Sequence, residues 1–168
     1  TSGNPSITVG NPYLDPFRAT TYDLSAEWYF ADESLLSVAL FYKDIDTYIQ
    51  ELRQSMSYRD TGLPLELVPE AFWDVSFDVR TQVNTPGGPL KGFEISYQQT
   101  FTFLPGLFAN LGAQLNYTHV ESEIDYCTDS SCRVFVTEDL VNLSPNAWNA
   151  TLYYDDGKFN ARVSAAYR

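Results

Sequence analysis

The chain has 168 residues, 22 of them acidic and 10 basic, for a formal charge of −12. That balance excludes a nucleic-acid binder, which must neutralise phosphates with Lys and Arg, and it disfavours docking on an anionic lipid surface. Aromatics at 15% are too many for an acidic disordered segment, and the length suits one domain of ordinary size.

Alternation, not helical periodicity, organises the chain, so successive side chains point to opposite faces of strands. In the first run, Tyr22, Leu24, Ala26, Trp28 and Phe30 alternate with Asp23, Ser25, Glu27 and Tyr29. A short turn, Ala31 to Ser34, leads into Leu36, Val38, Leu40 and Tyr42, set against Ser37, Ala39, Phe41 and Lys43. A long acidic stretch, about Gln50 to Asp74, reads as an irregular loop. Beyond it Val75, Phe77, Val79 and Val83 alternate with Ser76, Asp78, Arg80, Gln82 and Asn84.

That segment runs through Thr85-Pro86-Gly87-Gly88-Pro89 into a third main run: Phe93, Ile95, Tyr97, Phe101 and Phe103 against Glu94, Ser96, Gln98, Thr100 and Thr102. The two together are too long for one membrane crossing. They read as one strand continuing past the membrane with a bulge or kink at the Gly-Gly pair, or else as a separate extracellular hairpin. A turn at Leu104-Pro105-Gly106 precedes Leu107, Ala109, Leu111, Ala113, Leu115 and Tyr117, which alternate with Phe108, Asn110, Gly112, Gln114 and Asn116.

A second long acidic stretch, Glu121 to Leu143, holds Cys127 and Cys132. The last two runs are Trp148, Ala150, Leu152 and Tyr154 against Asn149, Thr151 and Tyr153, then Phe159, Ala161, Val163, Ala165 and Tyr167 against Asn160, Arg162 and Ser164. Asp155-Asp156-Gly157 between them is a hairpin signal.

Short turns at one end and long loops at the other are the layout of a transmembrane barrel, and each run is about nine to eleven residues long, as a tilted crossing requires. Aromatics gather near run ends, as in the girdles of such barrels. The stretch from Ile95 to Val120 has no charged residue, but Gln, Asn and Thr at alternate places and Pro105-Gly106 in its middle exclude a membrane helix. The expected fold is therefore all-β: an antiparallel meander of about six strands with two extracellular loops, spanning 1–168 as one partial barrel. The chain opens at Thr1 without a signal peptide and closes at Arg168 inside an alternating run, so both ends read as cuts in a longer protein.

No catalytic constellation is present. His119 is the only histidine, and Gly-x-Ser-x-Gly, phosphate-binding glycine loops and zinc spacings are missing. Asp44 with Asp46 and Glu121 with Glu123 mark solvated strand faces. Asp125 and Asp129 lack a calcium ligand ladder, and no metal or cofactor is expected. Cys127 and Cys132 read as a local disulfide of an oxidising compartment. The sequons at Asn116, Asn142 and Asn149 read as chance matches.

Asp23, Glu27, Lys43, Glu94, Gln98, Gln114 and Asn116 would face the barrel lumen. Tyr48, Tyr58, Trp73, Arg80 and Tyr126, with Phe72 nearby, could grip a ligand, and Arg53, Arg59 and Arg133 could assist. The same aromatics could equally anchor the loops.

Several strings resemble TonB-dependent outer-membrane receptors: GNPYLDPFRATTYDLSAEWYF (Gly10 to Phe30), SVALFYKDIDTYI (Ser37 to Ile49), LKGFEISYQQTFTFLPG (Leu90 to Gly106), LGAQLNYTHVESEI and NAWNATLYYDDGKFNARVSAAYR. The departures are Phe17, where the family tends to an acidic residue, and Ser25, where Gly is common. The resemblance implies roughly 22-stranded barrels with a plug, of which this chain would supply about the fourteenth to nineteenth strands. It implies the outer-membrane bilayer and the TonB complex as partners, the latter through a plug and TonB box that this sequence, read as a partial barrel, lacks along with the last strands. The last two strings and the NTPGG bulge are similar to a proteobacterial subgroup often linked to carbohydrate uptake, so the cargo would be a scarce nutrient, an oligosaccharide ahead of a ferric siderophore or cobalamin. A passive porin-like barrel and a soluble β-sandwich binding module are the rival readings.

Overall fold

The computed structural model describes residues 4–129 and 131–168; Thr1, where the sequence suggests a cut, lies outside them. Ten strands occur among the described residues: β1 Ser6–Val9, β2 Arg18–Ala31, β3 Ser34–Ser57, β4 Ser76–Thr85, β5 Gly88–Thr100, β6 Leu111–Ser122, β7 Ile124–Cys127, β8 Phe135–Glu138, β9 Asn146–Asp155 and β10 Asn160–Tyr167. The architecture is all-β and largely an antiparallel meander. The chain forms two compact units, one of Thr1–Ala19, Ile45–Gly88 and Ile124–Glu138, the other of Thr20–Asp44, Pro89–Glu123 and Asp139–Arg168.

In the second unit the strand order is β2, β3, β5, β6, β9, β10. Its tight turns follow the expected chemistry. Glu33 takes the left-handed conformation (φ 53°) in the two-residue link from β2 to β3. Gly157 does the same (φ 78°) between β9 and β10, where Asp156 Oδ1 accepts hydrogen bonds from the Lys158 and Phe159 amides. Sequence alternation extends too far around Pro105. Phe101 and Phe103 lie beyond the end of β5, and Gly106–Asn110 is a 3-10 turn, so Leu107 to Asn110 are not strand. Gly106 at φ 64° turns the chain there, and the Phe101 amide donates to the Leu111 carbonyl to close it. The apparent alternation of Leu107 and Ala109 is a short apolar turn that happens to fit the two-residue period.

The first unit holds a three-stranded ladder, β1-β4-β3. The expected loop from Gln50 is shorter than its acidic composition suggests. β3 runs on to Ser57, paired antiparallel with β4 from Tyr48↔Thr85 to Ser57↔Ser76. Glu51, Arg53 and Ser55 lie on its exposed face, while Leu52 is buried on the other. Three 3-10 turns follow, Tyr58–Thr61, Leu65–Leu67 and Glu70–Phe72. β1 joins β4 in parallel, a pairing that short-range alternation in Ser6–Val9 could not announce.

β4 pairs with β3 and not with β5, so residues 86–89 are no hairpin tip. Pro86 and Gly87 make a kink between two strands that both neighbour β3. Gly87 is required there. Its φ is 79°, and a Cβ on it would run into the carbonyl of Ile45.

The unit's core is small. Tyr58 (2% exposed), Phe77 and Val79 are buried, with Ile7, Val9, Met56, Leu63, Leu65, Val68 and Trp73 packed around them. Each fully buried side chain of this size contributes roughly 1.5–3 kcal/mol. The second long stretch is also more regular than expected, because β7 and β8 form a hairpin with Ile124↔Glu138 and Cys127↔Phe135 in register.

Candidate functional site: a two-faced strand ladder and a polar loop region

In the second unit, β5, β6, β9 and β10 carry their side chains in cross-strand rows. One face has Ser96, Asn116, Asn149 and Ala166 in one row, and Gln98, Gln114, Thr151 and Ser164 in the next. Neighbours within these rows are bonded: Asn116 Nδ2 donates to Ser96 Oγ (2.8 Å), Gln114 Nε2 to Gln98 Oε1 (3.4 Å), and the Thr151 and Ser164 hydroxyls lie 2.9 Å apart. Beyond them Thr100 and Tyr153 share a hydroxyl contact of 3.0 Å. Glu94 lies on this face opposite Thr118.

The opposite face reads Ile95, Tyr117, Trp148 and Tyr167, then Tyr97, Leu115, Ala150 and Ala165, then Gln99, Ala113, Leu152 and Val163, with Gln99 the one polar member of these rows. Leu115, Trp148, Leu152 and Val163 are exposed, Val163 at 75%. Tyr22, Leu24 and Trp28 of β2 and Leu40 and Tyr42 of β3 add further exposed apolar surface. A contiguous apolar face of this kind marks a membrane or a partner surface. Of the residues expected to face a lumen, Glu94, Gln98, Gln114 and Asn116 share the polar face. Asp23 and Glu27 alternate with the apolar residues of β2, and Lys43 with those of β3. Tyr29 donates to Glu27 on the same face of β2.

The five expected ligand residues divide three ways. Tyr58 is not available for a ligand: it is buried, edge-on to Phe77 at 5.6 Å, and donates its hydroxyl to the Pro64 carbonyl. An aromatic in an acidic stretch looked exposed, but β3 extends far enough to carry it into a core. Trp73 packs against the same cluster, donates Nε1–H to the Leu65 carbonyl and lies under the Arg59 guanidinium at 5.8 Å. Arg59 also pairs with Asp74.

Tyr48 and Tyr126 do come together, edge to face at 6.0 Å, with Phe17 on the other side of Tyr48 at 6.4 Å. Nothing in the local sequence marks Phe17 as their neighbour. Arg80 lies on the other face of the ladder, opposite Arg53 of β3 and Thr8 of β1. Phe72 and Arg133 are exposed.

Cys127 and Cys132 form a disulfide with Cα atoms 4.8 Å apart. The hairpin it closes is held by residues that the sequence did not flag. The Cys127 amide donates to Gln50 Oε1 (2.8 Å), and Gln50 Nε2 donates to the Cys127 carbonyl (3.1 Å). The Thr85 hydroxyl donates to the Asp125 carbonyl, and the Asp125 amide donates to Gly87. The carboxylates of Asp125 and Asp129 are used separately. The first accepts from Thr137 Oγ1 (2.6 Å) and the second from the Ser131 amide and hydroxyl. Ser131 is also the main reason that the Asp129 carboxyl is held below its ordinary 3.8. Among the described residues no group of three or more His, Cys, Asp and Glu could hold a metal ion. His119 is tied to Asn146 through Nδ1 (2.9 Å), with Glu121 3.5 Å from Nε2 and Lys91 pairing with that glutamate.

This two-faced, largely antiparallel sheet is the wall of a transmembrane β-barrel, built on strands and not helices. The model of the TonB-dependent receptor-like β-barrel family matches residues 1–168, and the chain belongs to that family. The family is one of outer-membrane transport receptors, transporters rather than enzymes. No curated protein and no solved structure matches the chain.

Proposed function

We propose that this chain forms part of the wall of a bacterial outer-membrane receptor that imports a scarce oligosaccharide in a TonB-dependent way. The observation that carries the reading is the ladder β5-β6-β9-β10, with amides and hydroxyls on one face and exposed apolar rows on the other. The apolar rows meet acyl chains. The polar face, with Asp23, Glu27, Lys43, Glu94, Gln98, Gln114 and Asn116, lines a wet or plugged lumen.

The uncharged rows suit a polyhydroxylated cargo, since every amide and hydroxyl can donate and accept. Tyr48 and Tyr126 offer an aromatic edge for capture at the loops. Release into the periplasm follows movement of a plug domain driven by the inner-membrane TonB complex. No bond is broken, so no residue acts as acid, base or nucleophile.

The test is uptake of radiolabelled oligosaccharides by cells carrying the intact receptor. Saturable uptake that collapses on deletion of TonB or addition of a protonophore is expected. Uptake that survives both treatments would identify a passive barrel and overturn the reading, and energised uptake of a ferric siderophore alone would overturn the cargo.

A further inference from the structure

Arg53 and Arg80 are direct cross-strand partners on β3 and β4, on one face of the ladder and both exposed. Like charges placed directly opposite each other in an antiparallel pair are destabilising. Arg53 is partly compensated by Glu51 at 2.8 Å, two residues away on its own strand. Arg80 has no ion pair and no side-chain hydrogen bond among the described residues, so its planar fork of donors is unfilled.

The surroundings are polar and ordered by three strands. The Arg53–Arg80 row continues to Thr8 of β1. The row on one side is Ser55, Asp78 and Ser6, and on the other Glu51 and Gln82. Arg80, with Val9, Thr81 and the polar Thr8, Glu51 and Gln82, lines a cavity of about 160 Å³, and Arg53 stands outside that lining. The opposite face of the same ladder packs on the Tyr58 core along Phe77 and Val79.

We infer that Arg80 and Arg53 form a subsite for a carboxylate on a hydroxyl-rich ligand. A carboxylate accepts two parallel N–H bonds from one guanidinium and relieves the repulsion between the two arginines. The flanking groups of Thr8, Gln82 and Glu51 meet neutral hydroxyls beside Ser55 and Asp78, which the Asn4 amide bridges, and the two acids reject a second negative charge close by. An acidic sugar and a hydroxycarboxylate chelate of iron share this chemistry. The inference rests on the import function proposed above and narrows its cargo.

Isothermal titration of the intact receptor in nanodiscs tests it with four probes: a hexuronic acid trisaccharide, its methyl ester, a neutral trisaccharide and a ferric hydroxycarboxylate chelate. The acid is expected to bind about 10- to 100-fold more tightly than the ester, as a charge-assisted bidentate contact implies. Arg80→Gln should abolish that preference while ester binding holds, and Arg80→Lys should restore only part, because a point charge lacks the fork. Arg53→Gln provides a second variant. Since either Gln substitution removes one of two repelling charges, the barrel's heat-modifiable gel mobility should be unchanged.

Equal binding of acid and ester, or a preference that survives Arg80→Gln, overturns the subsite even where neutral sugars bind and the oligosaccharide reading stands. An Arg80-dependent preference shown by the iron chelate alone supports the subsite and overturns the oligosaccharide cargo. The absence of Arg80-dependent binding for every carboxylate overturns the subsite.

Discussion

The side-chain amide of Gln50 closes two hydrogen bonds on the backbone of Cys127, accepting from its N–H at 2.8 Å and donating to its C=O at 3.1 Å. Gln50 thereby does with a side chain what a neighbouring strand would do with its backbone, and it fixes the disulfide hairpin to the ladder across 77 residues of sequence. Replacing it with Leu leaves a half-buried amide and carbonyl without partners. Such a loss costs about 1–3 kcal/mol. Amide exchange at Ile124 to Cys127 in the intact receptor should accelerate correspondingly, with little change in the strands of the second unit. Unaltered exchange at Cys127 would show that the clamp is not what orders the hairpin.

The disulfide should act on the same element by a different route. Its cysteines are five residues apart. In the chain-entropy picture, closing so short a loop is worth about 2 kcal/mol. The Cys127→Ser/Cys132→Ser variant should therefore loosen β7 and β8 without unfolding the barrel. Combined with Gln50→Leu it should lose more than the sum of the two, since both restrain Cys127. Limited proteolysis around Arg133 reports this directly. Strict additivity would place the two restraints in separate elements.

A tyrosine on β9 fills the space beside a glycine on β6. Tyr153 is the cross-strand partner of Gly112, and its ring lies where a Cβ on Gly112 would sit. Its hydroxyl is held by Thr100, which in turn donates to Glu33. Gly112→Ala should destabilise the intact barrel by about 1–3 kcal/mol through overpacking. Adding Tyr153→Ala should recover part of that loss, which thermal unfolding can measure. A worse double variant would mean that the ring is not what excludes the methyl group.

Asp156 ties the β9–β10 turn outside the membrane-spanning strands. The Phe159 amide first, then the Lys158 amide, holds its carboxyl below the ordinary 3.8. A carboxylate depressed in the folded state stabilises above its unfolded pKa of about 3.9 and loses that contribution as pH falls through the lower folded value. The difference in melting temperature between the native receptor and Asp156→Ala should therefore be constant near pH 6 and shrink below about pH 4. A difference that persisted unchanged to pH 2 would count against a charged cap.

The strands that cross in simple hairpins were legible because each residue's face is set by a two-residue period. β2, β9 and β10 lie close to where Tyr22–Phe30, Trp148–Tyr154 and Phe159–Tyr167 place them. The longer elements were obscured by composition. Glu51 and Arg53 made the end of β3 look like loop, although Leu52 keeps the alternation. Leu107 and Ala109 gave a turn the look of a strand.

The candidate site was legible only where neighbours in sequence become neighbours in space. Arg53 and Arg80 are joined by the β3–β4 register, and Tyr48 with Tyr126 and Gln50 with Cys127 by side-chain contacts of the β7–β8 hairpin, none of which is written in a local pattern. Tyr58 was misplaced for the same reason, because its burial depends on β4 supplying Phe77 and Val79.

The most direct test of the two-faced wall is site-directed spin labelling of the intact receptor in a bilayer. Labels at Leu115, Leu152 and Val163 should be accessible to molecular oxygen and shielded from a polar nickel reagent, while labels at Gln114, Thr151 and Ser164 should show the reverse preference or contact with a plug. Nickel accessibility at Leu152 and Val163, or immobilised labels reached by neither reagent, would contradict the account of these strands as a lipid-facing barrel wall.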